Sequence, residues 1–296
     1  MKPKLIVILG PTASGKSALA VDLAREYNGE VVSADSRQVY KGLNIGTGKV
    51  TKKEMRGVHH HALDILSPKK VFTVAQFKTL TEKTIDDIIA RGKVPILCGG
   101  TGFYIQAVVD GIILPDVPPD PTLRKKLQKL SNTALAVLLK KLDPKRAATI
   151  DPNNTARLIR AIEIAKALGS VPAIAVNPKY QTLQIGISTD DEILRRKIKM
   201  RLSERLKKGM VEEVKKLRDK GLSWKRMHEL GLEYRYISLF LQEKISKIEM
   251  ATRLETEIWH YARRQRAWFK RDTRIKWFSI DQKMAIEKEV VRFLGK

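Results

Sequence analysis

The sequence predicts an α/β fold with a parallel, doubly wound sheet core, a helical insertion domain and a mainly helical, basic C-terminal part. Apolar runs typical of buried strands alternate with helical segments through residues 1–114, which favours parallel strands. Four prolines within residues 115–121 then interrupt this alternation, and the C-terminal third is rich in lysine and arginine. We therefore assign residues 1–115 and 181–296 to the core with its basic helices, and residues 116–180 to the insertion.

The strands of the core are predicted where short apolar runs end at turn residues, at 4–9, 30–34, 62–66, 94–98 and 182–188. Helices are predicted at 16–27, 74–91 and about 102–110. In an open parallel sheet, ligands bind beyond the carboxyl ends of the strands. The three loops that leave those ends, at 10–15, 35–41 and 99–102, should therefore meet in one crevice.

The insertion and the C-terminal part are both predicted to be helical. The prolines of the insertion cannot continue a helix or a central strand, and Asn177-Pro178 marks a second break. Thr189 and Glu192 form a capping-box pattern before a long basic helix that includes residues 195–218. The other predicted elements are short helices at 122–130, 133–141 and 154–168, a second basic helix at 253–271 and a late edge strand at 276–280.

The charge balance indicates a polyanionic partner. The chain has 57 lysines and arginines against 32 acidic residues, which gives a formal net charge of +25. Nucleic acid is the first candidate and a membrane surface the second, with a generally lysine-rich soluble protein as the alternative. Tyr261 and Trp268 lie seven residues apart and are expected to be core anchors. Arg263, Arg264 and Arg266 would then be free to bind RNA phosphates.

The single cysteine and the histidine triplet argue against a disulfide and a metal cluster. Cys98 lies in an apolar run and is expected to be a buried hydrophobe. Consecutive strand residues point to opposite faces, so His59-His60-His61 cannot all bind one ion and are expected to pack locally. The roughly five apolar residues near the N-terminus are too few for a signal peptide, and no run reaches membrane-spanning length. We expect a cytoplasmic protein without a membrane partner.

A glycine-rich phosphate-binding motif follows the first predicted strand. Residues 10–17 have the pattern G-x-x-x-x-G-K-S, at the junction of a strand and a helix. Backbone N–H groups in such a loop converge on phosphate oxygens, with the lysine adding charge and the serine hydroxyl suiting Mg²⁺. The alternative is a glycine-rich turn with a solvated lysine. The predicted phosphate-binding residues are Gly10, Pro11, Thr12, Ala13, Ser14, Gly15, Lys16 and Ser17, and Ser17 is the predicted metal ligand.

Two further loops carry candidate catalytic groups. Asp35 ends the second strand and suits a general base or a metal ligand, or else it caps the next turn. Arg37 and Gln38 suit phosphate and base edges, or else they lie in a solvated loop. In Gly99-Gly-Thr-Gly102 the only polar side chain is Thr101, where many P-loop ATPases carry a carboxylate. This weakens ATP hydrolysis as the function and suits hydrogen bonding to a leaving phosphate oxygen, with a tight turn as the alternative.

Together these motifs make the chain resemble the tRNA dimethylallyltransferase (tRNA isopentenyltransferase) family over nearly its whole length. The family transfers a dimethylallyl group from its diphosphate to N6 of the adenine on the 3′ side of a tRNA anticodon. The resemblance therefore implies dimethylallyl diphosphate and a tRNA anticodon stem-loop as partners and Mg²⁺ as cofactor. We expect a monomer. The motifs that carry it are residues 10–17, Asp35–Tyr40, Asn44–Thr47, Gly57–His60, Gly99–Tyr104, Arg157–Glu163 and Tyr261–Arg271.

The resemblance also implies roles for individual residues. Asp35 would accept the N6 proton, and Thr101 would hydrogen-bond near the bridging oxygen of the donor. Lys16, the loop amides, Ser17 with Mg²⁺, and Arg201 would neutralise the leaving diphosphate. A flipped adenine would enter the crevice, because chemistry on a stacked base requires extrusion. The residues that would hold the RNA are Asp35, Ser36, Arg37, Gln38, Thr101, Arg157 and Arg160.

One segment departs from the family pattern. Where Gly-Tyr-Lys-Glu is expected, residues 231–236 are Gly-Leu-Glu-Tyr-Arg-Tyr. Two other functions compete with prenyl transfer: an ATP-dependent kinase of a small molecule or nucleoside, and a non-catalytic RNA-binding P-loop protein. The charge excess and the missing loop carboxylate disfavour the kinase. Asp35 and Thr101 would have no use in a protein that only binds RNA.

Overall fold

The computed structural model describes residues 2–295 and divides them into two units. The first unit contains the residues up to Gly111 and those from Pro178 onward, and the second contains Ile112–Asn177. The predicted insertion, 116–180, is displaced from the second unit by only a few residues at each end. Each unit has its own hydrophobic core.

A six-stranded parallel sheet forms the centre of the first unit. Its strand order is β3-β2-β4-β1-β7-β8, and every neighbouring pair runs parallel. Alternation along β1 sends Leu5 and Val7 into one apolar cluster and Ile6 and Ile8 into another, so both faces are covered. The strands are β1 (Lys4–Leu9), β2 (Gly29–Ala34), β3 (His60–His61), β4 (Val94–Gly99), β7 (Gln181–Ser188) and β8 (Lys276–Ser279).

One predicted strand is misplaced. Residues 62–66 do not form it; β3 is His60–His61, and Leu66 makes a single bridge to Tyr40. Ala62 and Asp64 have φ values of 61° and 53°, which a continuous strand cannot accommodate. The edge position predicted for β8 is confirmed.

The helices of the first unit pack on both faces of the sheet and continue as a C-terminal bundle. Helix α1 packs on one face, and α3 and α4 pack on the other. Helices α9 to α13 enclose a third apolar cluster with Val39, Tyr40 and Leu43. The helices are α1 (Lys16–Glu26), α2 (Lys52–Met55), α3 (Val74–Ala90), α4 (Gly102–Val109), α9 (Asp191–Lys207), α10 (Met210–Asp219), α11 (Trp224–Leu230), α12 (Leu232–Leu241), α13 (Lys247–Phe269) and α14 (Lys283–Leu294).

The basic C-terminal region differs from its prediction in three respects. The predicted helix through 195–218 is two helices, because Gly209 between them adopts a φ of 91°. The N-cap of α9 is Asp190 rather than Thr189, since the Asp190 carboxylate accepts the N–H groups of Glu192 and Ile193. Tyr261 and Trp268 are half-buried rather than fully buried, and Trp268 packs against the apolar cluster on one face of the sheet. Among residues 2–295, no helix combines the length and hydrophobicity that crossing a membrane requires.

The second unit is a small helical body closed by a two-stranded antiparallel ribbon. Glu163 is buried there, and it accepts hydrogen bonds from Arg124 and from the N–H of Asp120. Helix α7, which was not predicted, starts at Asp143-Pro144 with the aspartate as its cap. Its elements are β5 (Ile112–Ile113), α5 (Pro121–Leu127), α6 (Asn132–Leu142), α7 (Pro144–Thr149), α8 (Thr155–Leu168) and β6 (Ala175–Val176).

Candidate active site

The three loops predicted to meet do meet. Strands β2, β4 and β1 are neighbours, so the loops that follow them leave the same edge of the sheet. The Thr101 N–H donates to the Ala34 carbonyl (3.2 Å), and the Ser36 N–H donates to the Thr101 hydroxyl (3.1 Å). Beside them opens a cavity of about 310 Å³ lined by parts of the 10–17 and 35–38 loops and by helices α9, α12 and α13.

The phosphate-binding loop presents its cation and hydroxyl to this cavity. Thr12, Ala13, Lys16 and Ser17 line it, while Gly10, Pro11, Ser14 and Gly15 shape the loop behind them. The Lys16 ammonium donates to the Pro11 carbonyl at 3.0 Å, and its desolvation lowers the pKa of Lys16. Ser17 is exposed at the first turn of α1, and its side chain hydrogen-bonds to Cys98. A serine hydroxyl at this exposed position suits Mg²⁺, which takes oxygen ligands and retains several waters.

Asp35 combines both of the roles considered for it. Its Oδ1 accepts the N–H groups of Arg37 (2.8 Å) and Gln38 (3.2 Å), which caps the turn. Its Oδ2 has no hydrogen-bond partner among residues 2–295, and Asp35 lines the cavity. One oxygen therefore fixes the carboxylate while the other is free to accept a proton. Ser36, Arg37 and Gln38 also line the cavity.

Thr101, unlike Asp35, does not open onto the cavity. It is the N-cap residue of α4 and holds the 35–38 turn through Ser36, but it does not line the cavity itself. The Tyr261 side chain reaches Thr101 from α13, and burial raises the pKa of the Tyr261 hydroxyl, which keeps it protonated. The Thr101 hydroxyl therefore already has two protein partners, the Ser36 N–H and the Tyr261 side chain.

Gln265 hydrogen-bonds to two of the loops, and the sequence analysis did not identify it as a site residue. Its Oε1 accepts the Thr12 N–H at 2.8 Å, and its Nε2 donates to the Gly100 carbonyl at 2.8 Å. Gly100 allows this approach, since a Cβ there would lie 2.2 Å from the Gln265 Nε2. The available signal was a glutamine at a buried position of α13, in the stripe that contains Ile258, Ala262 and Phe269.

The opposite wall of the crevice is cationic and contains the divergent segment. Arg201, Arg205 and Arg264 line it, together with Leu230–Tyr236. Nearby, the Glu213 carboxylate accepts the N–H groups of Asn44 (3.0 Å), Ile45 (2.7 Å) and Gly46 (3.0 Å). The Tyr234 hydroxyl also donates to Glu213, at 2.9 Å. Residues 231–236 are therefore part of the site, which their departure from the family pattern did not indicate.

The remaining RNA-binding candidates occupy varied surroundings. Arg263 is exposed on α13, whereas Arg266 is ion-paired with Asp191. In the second unit Arg157 is exposed on α8. Arg160 donates to the Val117 carbonyl (2.8 Å) and to Glu163 (3.4 Å), so it is committed to structure there.

The histidine triplet is divided between two places: His59 and His61 lie beside Glu30, whereas His60 lines the cavity. His61 contacts the Glu30 carboxylate at 2.7 Å, and donor atoms of His59, His61 and Glu30 all lie within 4.8 Å of one another. Glu30 already binds Arg91 through both oxygens and Lys93 through one. These cations neutralise the carboxylate, so the cluster is a structural ion-pair network.

Curated relatives match nearly the whole chain. A family model described as IPP transferase matches residues 38–272. The tRNA dimethylallyltransferase 1 of Hahella chejuensis is 42% identical over 280 residues, which are 93% of this chain and 92% of that protein. The tRNA dimethylallyltransferase 2 of Trichlorobacter lovleyi is 43% identical over 276 residues, which are 92% and 90% of the two chains.

Solved structures with the same fold extend the comparison. The full-length tRNA isopentenylpyrophosphate transferase of Bacillus halodurans superposes with a TM-score of 0.76 at 37% identity, covering 99% of this chain and 97% of that one. A eukaryotic dimethylallyltransferase acting on tRNA superposes with a TM-score of 0.76 at 28% identity, covering 90% of this chain and 70% of that one.

Proposed function

Because the chain belongs to the IPP transferase family, we propose that it transfers a dimethylallyl group from dimethylallyl diphosphate to N6 of the adenine on the 3′ side of a tRNA anticodon. The observation that carries this is the free Oδ2 of Asp35 in the same crevice as the phosphate-binding loop. A carboxylate that accepts a proton and a cradle that holds a diphosphate are the two parts that alkyl transfer to an amine requires.

The diphosphate of the donor would lie on the 10–17 loop. Its oxygens would accept from the loop amides, from Lys16 and from Arg201 across the crevice. Mg²⁺ held by Ser17 would supply further positive charge to the diphosphate. These contacts stabilise the charge that grows on the leaving group, so they act most strongly in the transition state.

The chemical step joins the adenine N6 to the first carbon of the dimethylallyl group. The bond between that carbon and the bridging oxygen breaks, and diphosphate leaves with the bonding electron pair. The proton lost from N6 goes to the Oδ2 of Asp35, whose Oδ1 stays bound to the Arg37 and Gln38 amides. The Thr101 hydroxyl, which does not line the cavity, would act by holding the turn that carries Asp35 through the Ser36 N–H.

The RNA would be held by cations around the crevice mouth. Arg37 and Arg264 line the cavity, and Arg263 is exposed on the same helix as Arg264. Arginine suits phosphate because its guanidinium donates in a bidentate manner. The ATP-dependent kinase is not favoured, since the relatives act on tRNA and the 99–102 loop lacks a carboxylate.

Incubation with an anticodon stem-loop RNA and dimethylallyl diphosphate tests the proposal. Nucleoside mass spectrometry should detect a dimethylallyl adduct on the adenosine that follows the anticodon. A matched RNA with guanosine at that position should gain no mass, and ATP should not replace the donor. An unmodified adenosine with folded protein, Mg²⁺ and both substrates present would overturn the proposal.

A further inference from the structure

The divergent segment brings an acid into the wall of the crevice. Glu233 belongs to the divergent segment at residues 231–236, and its side chain is 11% exposed. Burial raises the pKa of Glu233, and Arg205 opposes that rise. Glu233 and Arg205 both line the cavity that contains Lys16 and Asp35.

Arg205 contacts Glu233 only loosely. Its Nη1 lies 3.5 Å from the Glu233 Oε1 and 3.3 Å from the Gly46 carbonyl. Its Nε and Nη2 have no hydrogen-bond partner in the part of the chain that the structure describes. By contrast, Arg91 donates to both oxygens of buried Glu30 at 2.5 and 2.7 Å. A purely structural pair would be expected to close in that bidentate way.

The backbone makes room for the Arg205 guanidinium. A Cβ on Gly48 would lie 1.8 Å from the Arg205 Nη2 and 2.6 Å from its Cζ. Only a residue without a side chain therefore lets the arginine pass to this position. Gly48 also lines the cavity, so the guanidinium enters it over that glycine.

Arg205 lies one helical turn after Arg201. Residues four apart share a helix face, and like charges at that spacing destabilise a helix. Arg201 makes no ion pair within 4.0 Å among residues 2–295. Two adjacent guanidinium groups with unused donors, both facing one cavity, are arranged to bind an anion.

We propose that Arg205 binds the diphosphate of the donor beside Arg201. Glu233 balances the charge of Arg205 while the crevice holds no anion. The inference rests on the proposed function for the identity of the anion. The geometry alone requires only a diphosphate or a similar oxyanion.

Calorimetric titration with pyrophosphate and Mg²⁺ tests the inference without requiring prenyl transfer. Arg205→Met should weaken pyrophosphate binding about 10- to 100-fold, the range for losing charged hydrogen bonds. Lys207→Met, an exposed cation two residues away, is the control and should change binding by less than about twofold. Unchanged binding by folded Arg205→Met protein would overturn the inference. Normal pyrophosphate binding without transfer would instead count against the proposed function.

Two double variants remove the effect of leaving Glu233 unpaired, since an orphaned buried acid is destabilising in its own right. Arg205→Met/Glu233→Gln should still bind pyrophosphate about 10-fold or more weakly than Glu233→Gln alone. Arg205→Met/Glu233→Lys places a cation at position 233 in the wall of the same cavity and should recover several-fold of that loss. If Arg205→Met/Glu233→Lys binds pyrophosphate no better than Arg205→Met/Glu233→Gln, positive charge on this wall does not bind the anion, which contradicts the inference.

Discussion

Gln265 offers a quantitative test of how the site is built. Gln265→Leu keeps the volume of the side chain but removes both of its hydrogen bonds, to the Thr12 N–H and the Gly100 carbonyl. Gln265 is only 6% exposed, so water does not replace these bonds freely. Each buried group left unsatisfied costs about 1–3 kcal/mol. The substitution should therefore lower the free energy of unfolding by about 2–6 kcal/mol.

The assay is equilibrium urea unfolding, followed by titration with Mg²⁺ and pyrophosphate. Because the phosphate-binding loop loses its tie to α13, pyrophosphate affinity should fall together with stability. Gln128→Leu is the matched control, since that glutamine is exposed and should change stability by less than about 0.5 kcal/mol. If Gln265→Leu is as stable as this control and binds pyrophosphate normally, the two hydrogen bonds do not organise the loops.

Three further predictions follow from the crevice and its surroundings. Asp35→Asn keeps the turn cap but removes the proton acceptor. Turnover should therefore fall at least about 100-fold, while tRNA affinity stays nearly unchanged. Near-normal turnover would exclude Asp35 as the base. tRNA affinity should fall about 10-fold or more between 50 and 200 mM salt in a filter-binding assay, and a flat response contradicts phosphate contacts by arginine. Arg91, Lys93 and His61 hold the pKa of Glu30 well below its usual range. The stability that Glu30 contributes is thus present above about pH 4 and is lost as the pH falls further. The urea unfolding midpoint of Glu30→Gln should therefore depend less on pH below about pH 4 than that of the unsubstituted protein.

The arrangement of the loops was predictable because it depends on local patterns. Apolar runs fix β1, β2 and β4, and a parallel sheet then places the loops after them at one edge. The motif at 10–17, Asp35 and Thr101 could therefore be assigned to one region before any geometry was known. The strand at 62–66 failed because left-handed residues such as Ala62 leave no mark in a hydrophobicity pattern.

Arg201 and Arg264 of the opposite wall were predicted, but the contacts that the C-terminal helices make with the rest of the site were not. Gln265 meets Thr12 across 253 positions of chain, and Arg205 meets Glu233 across 28. Such contacts depend on how the C-terminal helices pack, and single-chain periodicity carries no information about that packing. The N-cap of α9 was mispredicted for a local reason. Thr189 and Asp190 can each cap a helix, and only the backbone conformation decides which of them does.

Glu213 has a consequence for ligand selectivity. Three successive N–H groups at residues 44–46 would form a receptor for any anion that reached them. The chain fills this receptor with its own carboxylate and adds the Tyr234 hydroxyl as a fourth donor. A phosphate near this loop therefore meets negative charge instead of converging amides. Because Glu213 occupies the N–H groups of residues 44–46, these groups cannot bind the diphosphate in place of the phosphate-binding loop.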